Sequence, residues 1–146
     1  MASVHDVAKY IIEKQGNMSA MKMQKLVYYA QAWSLVWDEV ALFSESIHAW
    51  ANGPVVPELY EAHRGQFSIS GWPLGDPENI NEDGKETIDV VLGYYGKLNP
   101  QQLSDLTHHE RPWRDARHGI PDGERGSAVI SLEAMSEYYS SIQPNE

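Results

Sequence analysis

Between Ala20 and Trp37 the chain carries an apolar stripe too broad for the surface of a protein. Met23, Leu26, Val27, Ala30, Trp33 and Trp37 recur at helical spacing, and Tyr28 and Tyr29 widen the face they share. A helix with so little polar surface has to be enclosed by other elements, so the segment predicts a central helix on which the rest of the chain packs. Material for that packing is present. The chain has 146 residues, 42% of them hydrophobic, with five Trp and eight Tyr. A chain of this length buries roughly two-thirds of its unfolded surface, and one domain over residues 1–146 is expected.

The flanking segments are read from their punctuation. Ser3 and Asp6 form a capping-box pattern ahead of Val4, Val7, Ala8, Ile11 and Ile12, and Gly16 is placed to end that first helix in a left-handed cap. Leu42-Phe43 and Ile47-His48-Ala49-Trp50 change period and read as two short strands or an extended excursion. Asn52-Gly53-Pro54 is a turn, and Pro57 opens a short helix to His63. Residues 65–84 hold glycines and prolines without periodicity and read as a long loop. Helical spacing returns at Ile88, Val91, Leu92, Tyr95 and Leu98. Asn99-Pro100 caps a helix through about His108, which Pro112 interrupts before a short helical turn to Arg117. Val129-Ile130 suits a third short strand, and Ser131 caps a last helix from Leu132 to Tyr139, with a short tail at about 141–146. The fold class is mainly α, a compact helical fold with a short β-hairpin or small sheet element.

Composition narrows the function. There is no cysteine, which excludes thiol nucleophiles, disulfides and Cys-ligated zinc. Eleven Lys and Arg against 21 Asp and Glu give a formal net charge of −10. A phosphate-binding face is missing, so direct nucleic-acid binding is not expected. An acidic surface favours encounter with a basic partner, although it also serves solubility alone. The first residues contain neither a basic region nor a long apolar run, and no stretch reaches the roughly 20 apolar residues of a membrane span. A cytoplasmic protein with no membrane contact is therefore expected.

The run from Leu106 to Arg117 concentrates the chemistry. It gathers His108, His109, Glu110, three arginines and Trp113 about Pro112. One reading is a catalytic or metal cluster. His109-Glu110 begins like a metalloprotease helix, but Trp113 stands where the second histidine belongs. A site assembled from His63 with His109 and Glu110, a small metal-dependent hydrolase, stays open as an alternative, as metal sites need three or more placed ligands. The other reading is a polar clasp. Trp113 plugs the core, and Arg117, on the same helical face, binds helix-terminal carbonyls or a carboxylate such as Glu110 or Glu58. No phosphate loop or nucleophile elbow is present. The expectation is a non-enzyme without cofactor or metal.

Three blocks carry a resemblance. They are Lys25-Leu26-Val27-Tyr28-Tyr29-Ala30-Gln31-Ala32-Trp33, then Ile47 to Tyr60 with its Trp50-Ala51-Asn52-Gly53-Pro54-Val55-Val56-Pro57-Glu58-Leu59-Tyr60 core, then Leu106 to Trp113. In this order they resemble the Panacea antitoxin-domain family, which includes SocA-like and phage-associated GepA-like proteins. The similarity runs from about Val4 to Tyr139, and the central block is the most specific. Val27 and Ala32 replace a leucine and a glycine frequent in the family. The resemblance implies an antitoxin of a bacterial or phage toxin–antitoxin system that neutralises a cognate protein toxin by direct binding. It also implies an alternative, a proteolytic adaptor that delivers the toxin to a cellular protease. Some relatives add a helix-turn-helix module, and these 146 residues are expected to hold the Panacea-like domain alone. The family brings no catalytic residues. Its signature positions here are Tyr28, Tyr29, Trp33, Trp50, Gly53, Pro54, Pro57, Glu58, Tyr60, His109, Glu110, Pro112, Trp113 and Arg117.

The toxin contact is expected on the loop at 65–84. Phe67, Ile69, Trp72 and Leu74 are the candidate anchors, with Asp76, Glu78, Glu82 and Asp83 able to steer a basic partner. The opposite reading, Trp72 folded back over the core, has equal claim on so large an apolar ring.

Overall fold

The computed structural model describes residues 1–121 and 123–143, so 144–146, the end of the expected tail, lie outside the described residues. Among the described residues, seven α-helices are arranged about the second: α1 (Val4–Gln15), α2 (Ala20–Trp37), α3 (Pro57–His63), α4 (Glu82–Tyr95), α5 (Pro100–His109), α6 (Arg111–Ala116) and α7 (Leu132–Ile142). The strands are β1 (Met18–Ser19), β2 (Ile47–Trp50), β3 (Gly53–Val55), β4 (Ser68–Ile69) and β5 (Val129–Ile130). They make two small antiparallel sheets, β1-β4 and β3-β2-β5. The protein is mainly α with minor sheet elements.

α2 is central because nearly every face of it is apolar. It packs against α1, α4, α5 and α7. Met23, Leu26, Val27, Tyr29, Ala30 and Ala32 have no exposed surface at all. Ser19 caps its start, accepting from the Lys22 amide at 3.0 Å. Trp37, at the far end, is 41% exposed and stacks on Trp33.

Two glycines behave differently from the sequence expectation. Gly16 ends α1 with φ +88°, but its ψ of −166° is the extended, glycine-only region rather than a left-handed cap; its amide still reaches Ile12 O at 2.8 Å. Gly84, expected in the loop, lies buried in the first turn of α4. A Cβ there would sit 3.0 Å from Leu42 Cδ2 and 2.9 Å from Ile80 Cγ2. Helix packing, not turn geometry, requires a glycine there.

Of the two readings for Leu42-Phe43, the excursion is correct. No strand forms, because the Gln31 side chain of α2 serves as the partner: Leu42 N donates to Gln31 Oε1 at 2.7 Å and Gln31 Nε2 donates to Phe43 O at 2.9 Å. One buried amide satisfies both backbone groups.

The segment at 65–84 is also more ordered than expected. Met18 pairs with Ile69 and Ser19 with Ser68. A 3-10 turn covers Pro77–Asn79, and Asn81 caps α4. The capping-box acid Asp6 does a second job here. Its carboxylate accepts from Ser3 N at 2.8 Å, Asp76 N at 2.6 Å and Asn79 Nδ2 at 3.3 Å. Burial opposes its ionisation, yet these bonds outweigh it and hold the carboxyl below its ordinary range.

Candidate functional site

The residues of the Leu106–Arg117 run act on the β2–β3 hairpin. Glu110 ends α5 and opens α6, with Pro112 in the first turn, where a missing amide hydrogen costs nothing. From this corner four side chains face four consecutive carbonyls. Arg117 Nη1 donates to Ala49 O at 3.1 Å, and Trp113 Nε1 donates to Trp50 O at 2.8 Å. His108 Nε2 lies 3.1 Å from Ala51 O, and Ser104 Oγ donates to Asn52 O at 3.0 Å. The carbonyls of Ala49, Trp50 and Asn52 thereby each receive a donor, while the His108 ring, whose Nδ1 lies 2.6 Å from Ser104 O, serves Ala51 O in the tautomer protonated at Nε2.

Arg117 departs from one expectation. Its acceptors are neither helix ends nor carboxylates but the carbonyls of Ala49, Pro121 and Glu124, with the guanidinium 5.1 Å from the Trp113 ring centroid. Glu110 is turned the other way and Glu58 is exposed. Tyr29 and Tyr139 each donate to Glu110 Oε1 at 2.7 Å, and Tyr28 meets the Tyr139 hydroxyl at 3.0 Å. Tyr29 stacks on Tyr95, whose hydroxyl accepts from Trp33 Nε1 at 2.9 Å. Burial pushes the Glu110 carboxyl up, and the tyrosine hydrogen bonds only partly offset it.

His109 is exposed, its Nδ1 2.7 Å from Asp105 O, while Glu110 is enclosed by tyrosines. The pair named for the hydrolase alternative therefore faces two different environments. His63 lies elsewhere, bonded to Gln24 at 3.1 Å. Among the described residues no group of three or more His, Cys, Asp or Glu side chains is placed to hold a metal.

Beside the hairpin is a cavity of about 680 Å³. Ala20, Met21, Gln24 and Lys25 of α2 form one wall; Trp50, Ala51, Asn52 and Val55 form another. Tyr60 and His63 of α3 and the segment Arg125 to Ser127 complete it. Trp50 and Tyr60 meet edge to face at 5.1 Å. Gln24 holds Val56 as a strand partner would, accepting from Val56 N at 3.0 Å and donating to Val56 O at 3.3 Å. That orientation makes the amide nitrogen the donor to His63 Nε2, and burial lowers the His63 pKa, which favours the neutral ring. Lys25 is 1% exposed, and desolvation lowers its ammonium to about 8. Gly53, at φ +125°, leaves the room Lys25 occupies: a Cβ there would stand 2.5 Å from Lys25 Cε and 3.0 Å from Nζ.

The remaining signature positions divide between core and hairpin. Tyr28, Tyr29 and Trp33 are buried in α2, Pro54 lies opposite Ala49 in the sheet, and Pro57 starts α3. Among the loop candidates, Ile69 (1% exposed) and Trp72 (6%) belong to the core. Trp72 folds back, stacks on His5 and donates to His5 Nδ1 at 3.2 Å. Phe67 at 84% and Leu74 at 46% remain exposed. Phe67 O accepts from Ala20 N at 2.9 Å, which places that residue beside the cavity wall. Reasoning from spacing missed Gln24, Gln31 and the cavity role of Lys25. Their signal was their presence: polar residues inside a helix whose other faces are apolar must have buried partners.

No helix is long and apolar enough to cross a membrane among the described residues. No curated protein and no solved structure matches the chain. A family model does, over residues 23–114, a span that takes in α2 from Met23 onward, the β2–β3 hairpin, most of the cavity wall and the clasp as far as Trp113. This chain belongs to the antitoxin SocA-like, Panacea domain family.

Proposed function

We propose that this chain is an antitoxin that neutralises a cognate protein toxin by direct binding, in the cytoplasm where such a toxin is made. Family membership is the observation that carries the reading. The geometry is in keeping with it: the polar run at 106–117 is occupied in holding the hairpin, and the His109 and Glu110 pair shares no opening. Of the loop anchors, Phe67 and Leu74 keep the exposure that a toxin contact needs, while Ile69 and Trp72 hold the loop to the core. The acid-rich surface suits a basic partner.

The test is co-expression with the toxin encoded beside this chain. Rescue of growth together with copurification is the expected result. Rescue that comes with loss of toxin only when a cellular protease is active identifies the adaptor mechanism instead. Rescue with neither a complex nor toxin loss sinks both. Phe67→Ala with Leu74→Ala is expected to weaken the complex while changing stability by less than about 0.5 kcal/mol, as for exposed positions generally. Trp72→Ala is not a fair probe of the interface, because it opens the core.

A further inference from the structure

We propose that the cavity between α2, the β2–β3 hairpin and α3 binds a carboxylate carried on an apolar body, with Lys25 receiving the carboxylate. The inference concerns the cavity alone and does not depend on the toxin reading.

Lys25 is the first argument. It is almost wholly buried and borders the cavity, and no hydrogen bond or ion pair holds its ammonium among the described residues. The described cavity lining offers no carboxylate to pair with it. Gln24, the next polar side chain on that wall, is engaged with Val56 and with His63. A buried cation without a counterion is costly and is normally paired. The partner this one lacks is an anion.

The walls are the second argument. The chain has 21 acids against 11 Lys and Arg, yet the described cavity lining contains no acid and includes both Lys25 and Arg125. The local charge is thus opposite to that of the protein as a whole, and it favours entry of a negative group. Arg125 is exposed and Lys25 is the buried cation of this lining, and one buried ammonium balances one negative charge, which fits a carboxylate better than a phosphate dianion.

Shape supplies the third. Trp50, Tyr60 and Met21 offer apolar and aromatic surface beyond the ammonium, and about 680 Å³ suits a small organic group. Gly53 keeps the space beside the Lys25 side chain clear, since a Cβ would collide with it. A carboxylate from a free small acid and one from the C-terminal residue of a protein present the same chemistry here.

The probe is 3-phenylpropionate, with 3-phenylpropionamide as its uncharged match, titrated calorimetrically into the full chain and into Lys25→Met. The acid is expected to bind the native chain, and the amide about tenfold more weakly or worse. Lys25→Met should erase that preference and leave the amide unchanged. Absence of acid binding, equal binding of acid and amide, or a preference that survives in Lys25→Met overturns the proposal. Amide shifts of Lys25, Asn52 and Gly53 in the native protein provide a reading that needs no variant: they should move with the acid and not with the amide, and the reverse counts against the site. Competition by the peptide Gly-Gly-Gly-Phe, as free acid and as terminal amide, separates the sources. Displacement by the free acid alone assigns the carboxylate to a protein C-terminus, and no displacement by either assigns it to a free small acid.

Discussion

Two cations lie buried beside the β2–β3 hairpin, and their surroundings differ in kind. Arg117, 3% exposed, spreads its guanidinium over the carbonyls of Ala49, Pro121 and Glu124 and over the Trp113 ring. Of its three nitrogens only Nε is left without a partner among the described residues. Lys25, 1% exposed, has no counterion among the described residues and faces a cavity. A planar fork of donors can be satisfied by neutral carbonyls from three segments, so Arg117 ties those segments together. A compact ammonium with nothing to bind does the reverse: it costs stability where it stands. One cation builds the fold, and the fold bears the other.

The largest effect is expected on the clasp. Trp113→Ala removes a ring that is 1% exposed and the donor to Trp50 O, and should lower stability by roughly 3–5 kcal/mol in urea denaturation. Arg117→Ala follows at about 3 kcal/mol, because three carbonyls lose a charged donor. If Arg117→Lys proved as stable as the native chain, the fork geometry would be irrelevant and the contrast with Lys25 would collapse.

Lys25→Met should carry the opposite sign. Its folded pKa of about 8 lies below the ordinary lysine value of 10.5, so in that window the unfolded chain binds the additional proton and stability rises with pH. The penalty is full below pH 8 and is relieved as the pH climbs towards the unfolded value. Lys25→Met is expected to be more stable than the native chain by about 1–3 kcal/mol at about pH 7, with the gain shrinking by about pH 10. Paired melts across that range check it, and a stability loss at neutral pH would show that Lys25 already has a partner.

Glu110→Gln should produce the smallest change of the set. The folded carboxyl titrates above its unfolded range, so any stabilising effect of its proton is complete at low pH and is lost as the pH rises through the folded value. The substituted amide carries no charge to desolvate, and its oxygen can accept from both Tyr29 and Tyr139 as the carboxylate does. The variant should therefore match the native chain at about pH 4 and melt slightly higher at about pH 8. A lower melting point on the alkaline side would mean that the ionised carboxylate is worth more than its burial costs.

The loop at 65–84 shows why part of the architecture was not legible beforehand. Its glycines and prolines signal irregular backbone, but they say nothing of Asp6 reaching Asp76 and Asn79, or of Trp72 lying on His5. Those bonds join residues some 70 positions apart. The same holds at Leu42-Phe43, where a side chain from α2 replaces a strand partner. Local signals record local free energies, and both outcomes are set by distant groups.

What the order of residues determines by itself is the set of elements whose causes lie within a few positions: the Ser3-Asp6 box, the Asn99 and Ser131 caps, the proline breaks, and a central helix with an apolar stripe too broad for a surface. The three signature blocks likewise announce the family before any fold is drawn. Tertiary structure alone decides what those blocks do together. Only packing brings Ala49 to Asn52 under Arg117, Trp113, His108 and Ser104, sends Glu110 to the tyrosines rather than to His109, and leaves Lys25 against a cavity in the room that Gly53 gives its side chain. Burial and pairing are properties of space. The sign of a residue's contribution depends on which of its neighbours in space can answer its charge.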